Sequence, residues 1–204
     1  MEAPASFAIH QGTTERQWGF ADSVEGYARD GIRALTVRRA LVEDYGSAKA
    51  ARLISDAGLQ VLGVSRCASL TENDPIRIAA NHDENRLAIA LTAELGGTNL
   101  AMISSGPPAG SRDLAGARAR ARDALAALLP EARAAGVTLG LEAIHPMRVV
   151  TGCVWSTLGQ ANAVCKELGA GTALIVDAYY VWWDPDELIG VAIARHQEIF
   201  GADA

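Results

Sequence analysis

Two acidic residues close apolar runs: Glu142 ends VTLGLE and Asp177 ends ALIVD. A carboxylate in that position is costly to desolvate unless a charge meets it. If the two runs are neighbouring strands, about 4.8 Å apart, the two carboxylates can approach closely. Such a pair either shares a proton or shares a cation. Oxygen donors suit Mg²⁺ or Mn²⁺. The plainer reading, in which each acid only caps the helix or loop that follows it, stays open. Other polar side chains at the ends of apolar runs are Gln11, Arg66, Ser104, Ser105, His145 and Tyr180.

Positioning these residues requires a framework, and the chain repeats one pattern of short apolar strand and amphipathic helix. Strands are expected at 6–11, 32–37, 59–64, 100–104, 137–142 and 173–177. Helices are expected at 15–30, 48–57, 75–95, 113–135, 156–168 and 186–200, with Thr14 as a cap of the first. Glycines at 31, 58, 136 and 169 stop helices, and Pro75 opens one. Such alternation predicts a parallel sheet buried on both faces, with right-handed crossovers. The active edge of that sheet is its C-terminal one. The repeat is roughly 33 residues, so eight units would need roughly 270 residues, in line with a TIM barrel. The 204 residues hold six. No GxGxxG follows the first strand and no Walker A sequence occurs. The fold expected is α/β, an incomplete TIM barrel of about six βα units in a single domain over residues 1–204.

Composition excludes several classes. The net charge of −6 and pI of about 5.2 leave no basic face for nucleic acid or anionic lipid. No apolar run is long enough for a membrane helix. Three scattered cysteines without a CxxC, and no signal-peptide pattern, predict a cytoplasmic protein. The arginines at 112, 118, 120, 122 and 133 are expected on the wet face of an Ala-rich helix. His10 follows an apolar run at the end of strand 1 and could face the site, although a structural or partly exposed role is the commoner one; His82 is expected to be solvated, and His196 to sit within the last helix.

The segments LEAIHP (141–146), VDAYYVWWDP (176–185) and GSRDLAGARA (110–119) closely resemble the sugar phosphate isomerase/epimerase family. These are TIM barrels related to xylose isomerase, hydroxypyruvate isomerase and the ketose 3-epimerases. The opening AIHQGTTERQWGFADSVEGYARDGIRALTVRR is similar to the same group, so the likeness runs from about residue 7 to about residue 200.

The resemblance implies a divalent metal (Mn²⁺, Mg²⁺ or Zn²⁺) held by Glu, Asp, His and Glu from strands 5 to 8. Glu142 matches the first ligand and Asp177 the second. The metal would act as a Lewis acid on a ketose or hydroxyketone, and Glu142 would double as the base that removes the proton beside the carbonyl. His145, Tyr180 and Trp182 would line the substrate pocket, with Arg66 available to a substrate phosphate or carboxylate; Gln11 is expected to join them from its place at the end of the first strand. Two departures stand against this pattern. The chain ends where strand 7 is expected, leaving the third and fourth ligands without counterparts, so any metal is expected to be held weakly or not at all. Tyr180 stands where relatives commonly carry His, and Ala143 where they carry Pro.

Three functions follow: a metal-dependent isomerase or epimerase; a lyase, dehydratase or cyclase using the same pocket without metal; or an inactive, truncated barrel. Unpaired edges of strands 1 and 6 predict a homodimer that completes the sheet.

Overall fold

The computed structural model describes residues 7–185. Its six strands are β1 (Ile9–His10), β2 (Ala34–Arg38), β3 (Gln60–Ser65), β4 (Asn99–Met102), β5 (Thr138–Glu142) and β6 (Thr172–Ile175). They form one sheet in the order β1-β2-β3-β4-β5-β6, every pair parallel. The helices are α1 (Phe20–Arg29), α2 (Arg39–Tyr45), α3 (Ser47–Asp56), α4 (Pro75–Glu94), α5 (Leu114–Ala134), α6 (Leu158–Leu168) and α7 (Ala178–Val181). This is the α/β arrangement of a partial TIM barrel. The helix expected at 186–200, with His196, lies outside the described residues.

Local chemistry sets the boundaries. Asp74 caps α4 by accepting the amides of Ile76 and Arg77, with Pro75 at the first turn where its missing N–H costs nothing. Asp113 caps α5 through the amide of Gly116. The expected helix at 15–30 begins later, at Phe20, with Gly19 as its N-cap. Thr14 instead closes a tight turn, its carbonyl accepting the amides of Gln17 and Trp18. The seven-residue α2 was not foreseen; Gly46, at φ 98°, separates it from α3 in a conformation that strains other residues.

The strands are not apolar on both faces. Their outward side chains, Leu35, Val37, Val64, Leu100, Met102, Leu139 and Leu141, are fully buried against the helices. Each removes enough apolar surface to stabilise the fold by about 1.5–3 kcal/mol. The inward positions alternate with these and, apart from Leu62 and Ile175, are polar or small: His10, Thr36, Gly63, Ser65, Asn99, Ala101, Gly140 and Glu142. The sheet curves, so its concave face lines a cavity instead of a second apolar layer. Asn99 sits between two glycines: a β-carbon at Gly63 would lie 2.6 Å from the Asn99 carbonyl oxygen, and one at Gly140 2.6 Å from its Oδ1.

The arginine face of α5 is less solvated than its pattern predicts. Arg118 donates to the Val154 carbonyl and to Gln160, Arg120 to the Thr71 carbonyl, and Arg133 to the Ala170 and Leu168 carbonyls. These side chains fasten loops to the helix while their aliphatic stems cover it.

Candidate functional site

Register brings the two acids together. Glu142 pairs with Ile175 across β5 and β6, and Asp177 follows two residues later. Both line a cavity of about 500 Å³ on the concave face, together with His10, Thr36, Ser65, Asn99 and Ile175. Glu142 is only 9% exposed. Burial, the nearby Asp177 charge and a hydrogen bond with Asp177 push its carboxyl up to about 7, against an opposing pull from the Arg66 guanidinium. Asp177 does two jobs. It accepts the Tyr179 amide at 2.9 Å as the cap of α7 and still faces Glu142. The capping reading therefore holds for Asp177 but does not exhaust it.

Glu142 is held from behind. Cys153 Sγ donates to the Glu142 carbonyl at 3.3 Å. Ser104, fully buried, contacts Cys153 Sγ and accepts the Val154 amide. Ser104 is thus a brace for the β5 loop and not a wall of the site. Cys67 and Cys153 are buried and unpaired, and burial pushes the Cys67 thiol up to about 12.

The other expected site residues divide. Gln11 is a correction: it is fully buried, its Nε2 donates to Ser23 Oγ and its Oε1 accepts the Arg38 amide, so no face is left for a substrate. His145, Tyr180 and Trp182 do come together, but in a separate rim cavity of about 400 Å³ with Met147, Arg148 and Tyr179. There His145 Nδ1 accepts the Met147 amide and its ring meets Trp183 edge-on, while Trp182 stands 73% exposed. Arg66 lies in a cleft with Arg38 and Arg39 that adjoins the main cavity at Ser65.

His10, which the sequence offers as a residue that could face the site, does face it; Thr36, Ser65 and Asn99 join it without having stood out in the sequence. Their signal was the period-two alternation of polar or small with apolar residues in AIH, ALTV, VLGVS and NLAM. His10 Nε2 lies 2.8 Å from Ser65 Oγ, a contact between residues 55 apart in sequence that no local pattern reveals.

The two carboxylates are hard oxygen donors of the kind that hold Mg²⁺ or Mn²⁺. They fit part of a ligand set. Among the described residues no group of three or more His, Cys, Asp or Glu side chains converges to complete one.

The crystal structure of a Sinorhizobium meliloti 1021 protein superposes with a TM-score of 0.88 at 36% identity, covering 95% of this chain and 70% of that one. A Clostridium cellulolyticum H10 D-psicose 3-epimerase, solved with D-tagatose, gives 0.77 at 14% identity, covering 94% and 70%. A family 2 AP endonuclease from Brucella melitensis gives 0.76 at 14%, covering 96% and 77%. The last two share the fold. No curated protein matches the chain significantly. The profile of the xylose isomerase-like TIM barrel matches residues 16–202. With the parallel βα order and the acids converging at its C-terminal edge, the chain belongs to the xylose isomerase-like TIM-barrel family.

Proposed function

We infer that the chain carries the base of an isomerase or epimerase acting on a small sugar or hydroxyketone. The observation that carries this reading is the Glu142 carboxyl, pushed up to about 7 beside Asp177. A base with that affinity for protons is matched to work near neutrality. Glu142 takes the proton from the carbon beside the substrate carbonyl. The C–H electron pair becomes the C=C bond of an enediolate, and the carbonyl oxygen takes the negative charge. Return of the proton by Glu142 to the neighbouring carbon moves the carbonyl; inversion of the centre requires a second acid that delivers a proton to the opposite face. Asp177 keeps the shared proton close to Glu142 and, through its α7 cap, fixes its own carboxylate. A divalent cation held by Glu142 and Asp177 (Mg²⁺, Mn²⁺ or Zn²⁺) would polarise the substrate carbonyl.

One feature favours a second reading. Two carboxylates joined by a hydrogen bond can pass a proton without a cation, which suits lyase or dehydratase chemistry in the same cavity. D-Fructose and D-psicose incubated in D₂O distinguish the two. Deuterium entering beside the carbonyl, lost in Glu142→Gln and reduced by chelator, supports the first. Exchange indifferent to chelator supports the second. No exchange in the wild type rejects the isomerase reading for these ketoses.

The outer edges of β1 and β6 pair with no other strand among the described residues. Self-association across them is part of the same proposal, and a sedimentation profile showing only monomer at tens of micromolar would reject it.

A further inference from the structure

His10 and Ser65 face the cavity from β1 and β3, and their hydrogen bonds have a determined direction. His10 Nδ1 accepts the Gly12 amide at 3.1 Å. An amide N–H only donates, so Nδ1 carries no proton and, in the neutral ring, Nε2 does. Nε2–H therefore donates to Ser65 Oγ at 2.8 Å. Gly12 belongs to the same device: a β-carbon there would lie 2.9 Å from both Cε1 and Nδ1 of His10, so a larger residue would push the ring off its amide. Burial and the Arg38 guanidinium both lower the proton affinity of His10, outweighing the Glu15 carboxylate.

The direction decides the chemistry. A serine nucleophile needs a histidine nitrogen that accepts its proton. Here Nε2 already holds one, so the pair is not a nucleophile and its base. With Oγ occupied as acceptor, the Ser65 hydroxyl proton is left to donate. Its protein partner is the Val37 carbonyl at 3.5 Å, at the outer limit of a hydrogen bond. In an eight-stranded wheel the first and fifth strands face each other, which puts His10 across the cavity from Glu142, with Ser65 between them on β3.

We propose that Ser65 Oγ–H, oriented by a neutral His10 behind it, donates a hydrogen bond to the substrate oxygen that becomes anionic when Glu142 removes the proton. Ser65 is the group that touches substrate, and His10 is a positioning residue. No proton is transferred by the pair; the charge that develops on oxygen is met by a preorganised donor. This rests on the reading of Glu142 as the base, and it names the oxygen-binding wall opposite it.

The test uses the full chain and glycolohydroxamate, a small mimic of an enediolate, with Mg²⁺ held constant. Binding is expected to weaken about tenfold in Ser65→Ala and several-fold in His10→Leu. His10→Gln, which keeps an N–H donor at that end, should recover most of the loss. Ser65→Cys, close in volume and a weaker donor, should fall between Ser65→Ala and wild type; it serves if the alanine variant melts early. Independently, ¹⁵N NMR of histidine-labelled wild type should show His10 protonated on Nε2 alone at neutral pH, and Gly12→Ala should shift those resonances. A ring protonated on Nδ1 would overturn the proposal. So would unchanged hydroxamate binding in both Ser65→Ala and His10→Leu, which would leave His10 as a cap of its turn. Failure of the wild type to bind the mimic would also overturn it. Loss of deuterium exchange in Glu142→Gln alongside normal exchange in Ser65→Ala would reject this inference and keep the base. Exchange surviving in Glu142→Gln would reject the base itself.

Discussion

β5 and β6 are hydrogen-bonded neighbours carrying the two acids, yet their surroundings differ. β5 is buried over Leu139–Glu142, whereas all four residues of β6 are half-exposed. The loops after β3, β4 and β5 are stitched together. Leu70 donates its amide to Ser104, Cys67 Sγ to Ile103, Arg120 to Thr71 and Arg118 to Val154. The Thr71 hydroxyl bonds the Gly106 carbonyl, and Gly106 in turn lies against Val150, where no side chain would fit. Trp155, 2% exposed, belongs to the core. Among the described residues, β6 is followed by the single turn of α7, with Tyr179 and Trp182 exposed, and by Asp184, which accepts the Leu158 amide. Glu142 ends a buried strand, and Asp177 follows a half-exposed one. That asymmetry gives two chemically similar carboxylates different roles. Burial first, and then the neighbouring Asp177 charge, penalise the charged form of Glu142.

The sharpest way to break this distinction is to neutralise the acids. Glu142→Gln is expected to lower ketose deuterium exchange by 10²- to 10⁴-fold, the usual worth of a positioned base; equal exchange in mutant and wild type would remove Glu142 from the mechanism. Packing differs next. Trp155→Ala should cost about 3–5 kcal/mol in urea unfolding, as for other buried aromatics. Leu174→Ala, on half-exposed β6, should cost roughly 1–2 kcal/mol, because part of its surface is already wet. Similar costs at both would mean that the two strands are equally embedded.

The pH dependence sharpens the comparison further. The folded-state affinity of Glu142 for its proton is raised, from 4.5 to about 7. Stability from this group is fully present below about pH 4.5 and is lost as pH rises through 7. In chelator, Glu142→Gln should therefore be more stable than wild type at pH 8, by roughly 1–3 kcal/mol, with the gain vanishing near pH 4. A gain independent of pH would point to shape instead of charge. Smallest of all, Tyr179→Ala, 78% exposed on the wet side, should change stability by no more than about 0.5 kcal/mol.

Much of the framework was legible because it is written locally. Pro75 after Asp74, the glycine stops and the apolar runs fix the βα alternation residue by residue. α2 escaped notice because seven residues ended by Gly46 offer too short a period to register. Thr14 misled because a capping residue also closes turns, and only the burial of Phe20 and Tyr27 decides where the helix starts. Within the site, Glu142 and Asp177 stood out because acids ending apolar strands are conspicuous. Gln11 occupied an equivalent strand end but turned away from the cavity to Ser23 on α1, which no spacing announces. Ser65, and its pairing with His10, escaped for the opposite reason. Ser65 is unremarkable alone, and its meaning is a hydrogen bond across 55 residues of chain.

The most direct measurement is a carboxyl ¹³C NMR titration of Glu142 in metal-free protein, repeated in Asp177→Asn. The expected midpoint is near 7 in the wild type. In the variant it should fall yet stay above 4.5, since burial is the larger cause and Asp177 the second. A wild-type midpoint near 4.5, or one indifferent to Asp177→Asn, would mean that the two carboxylates do not share a site.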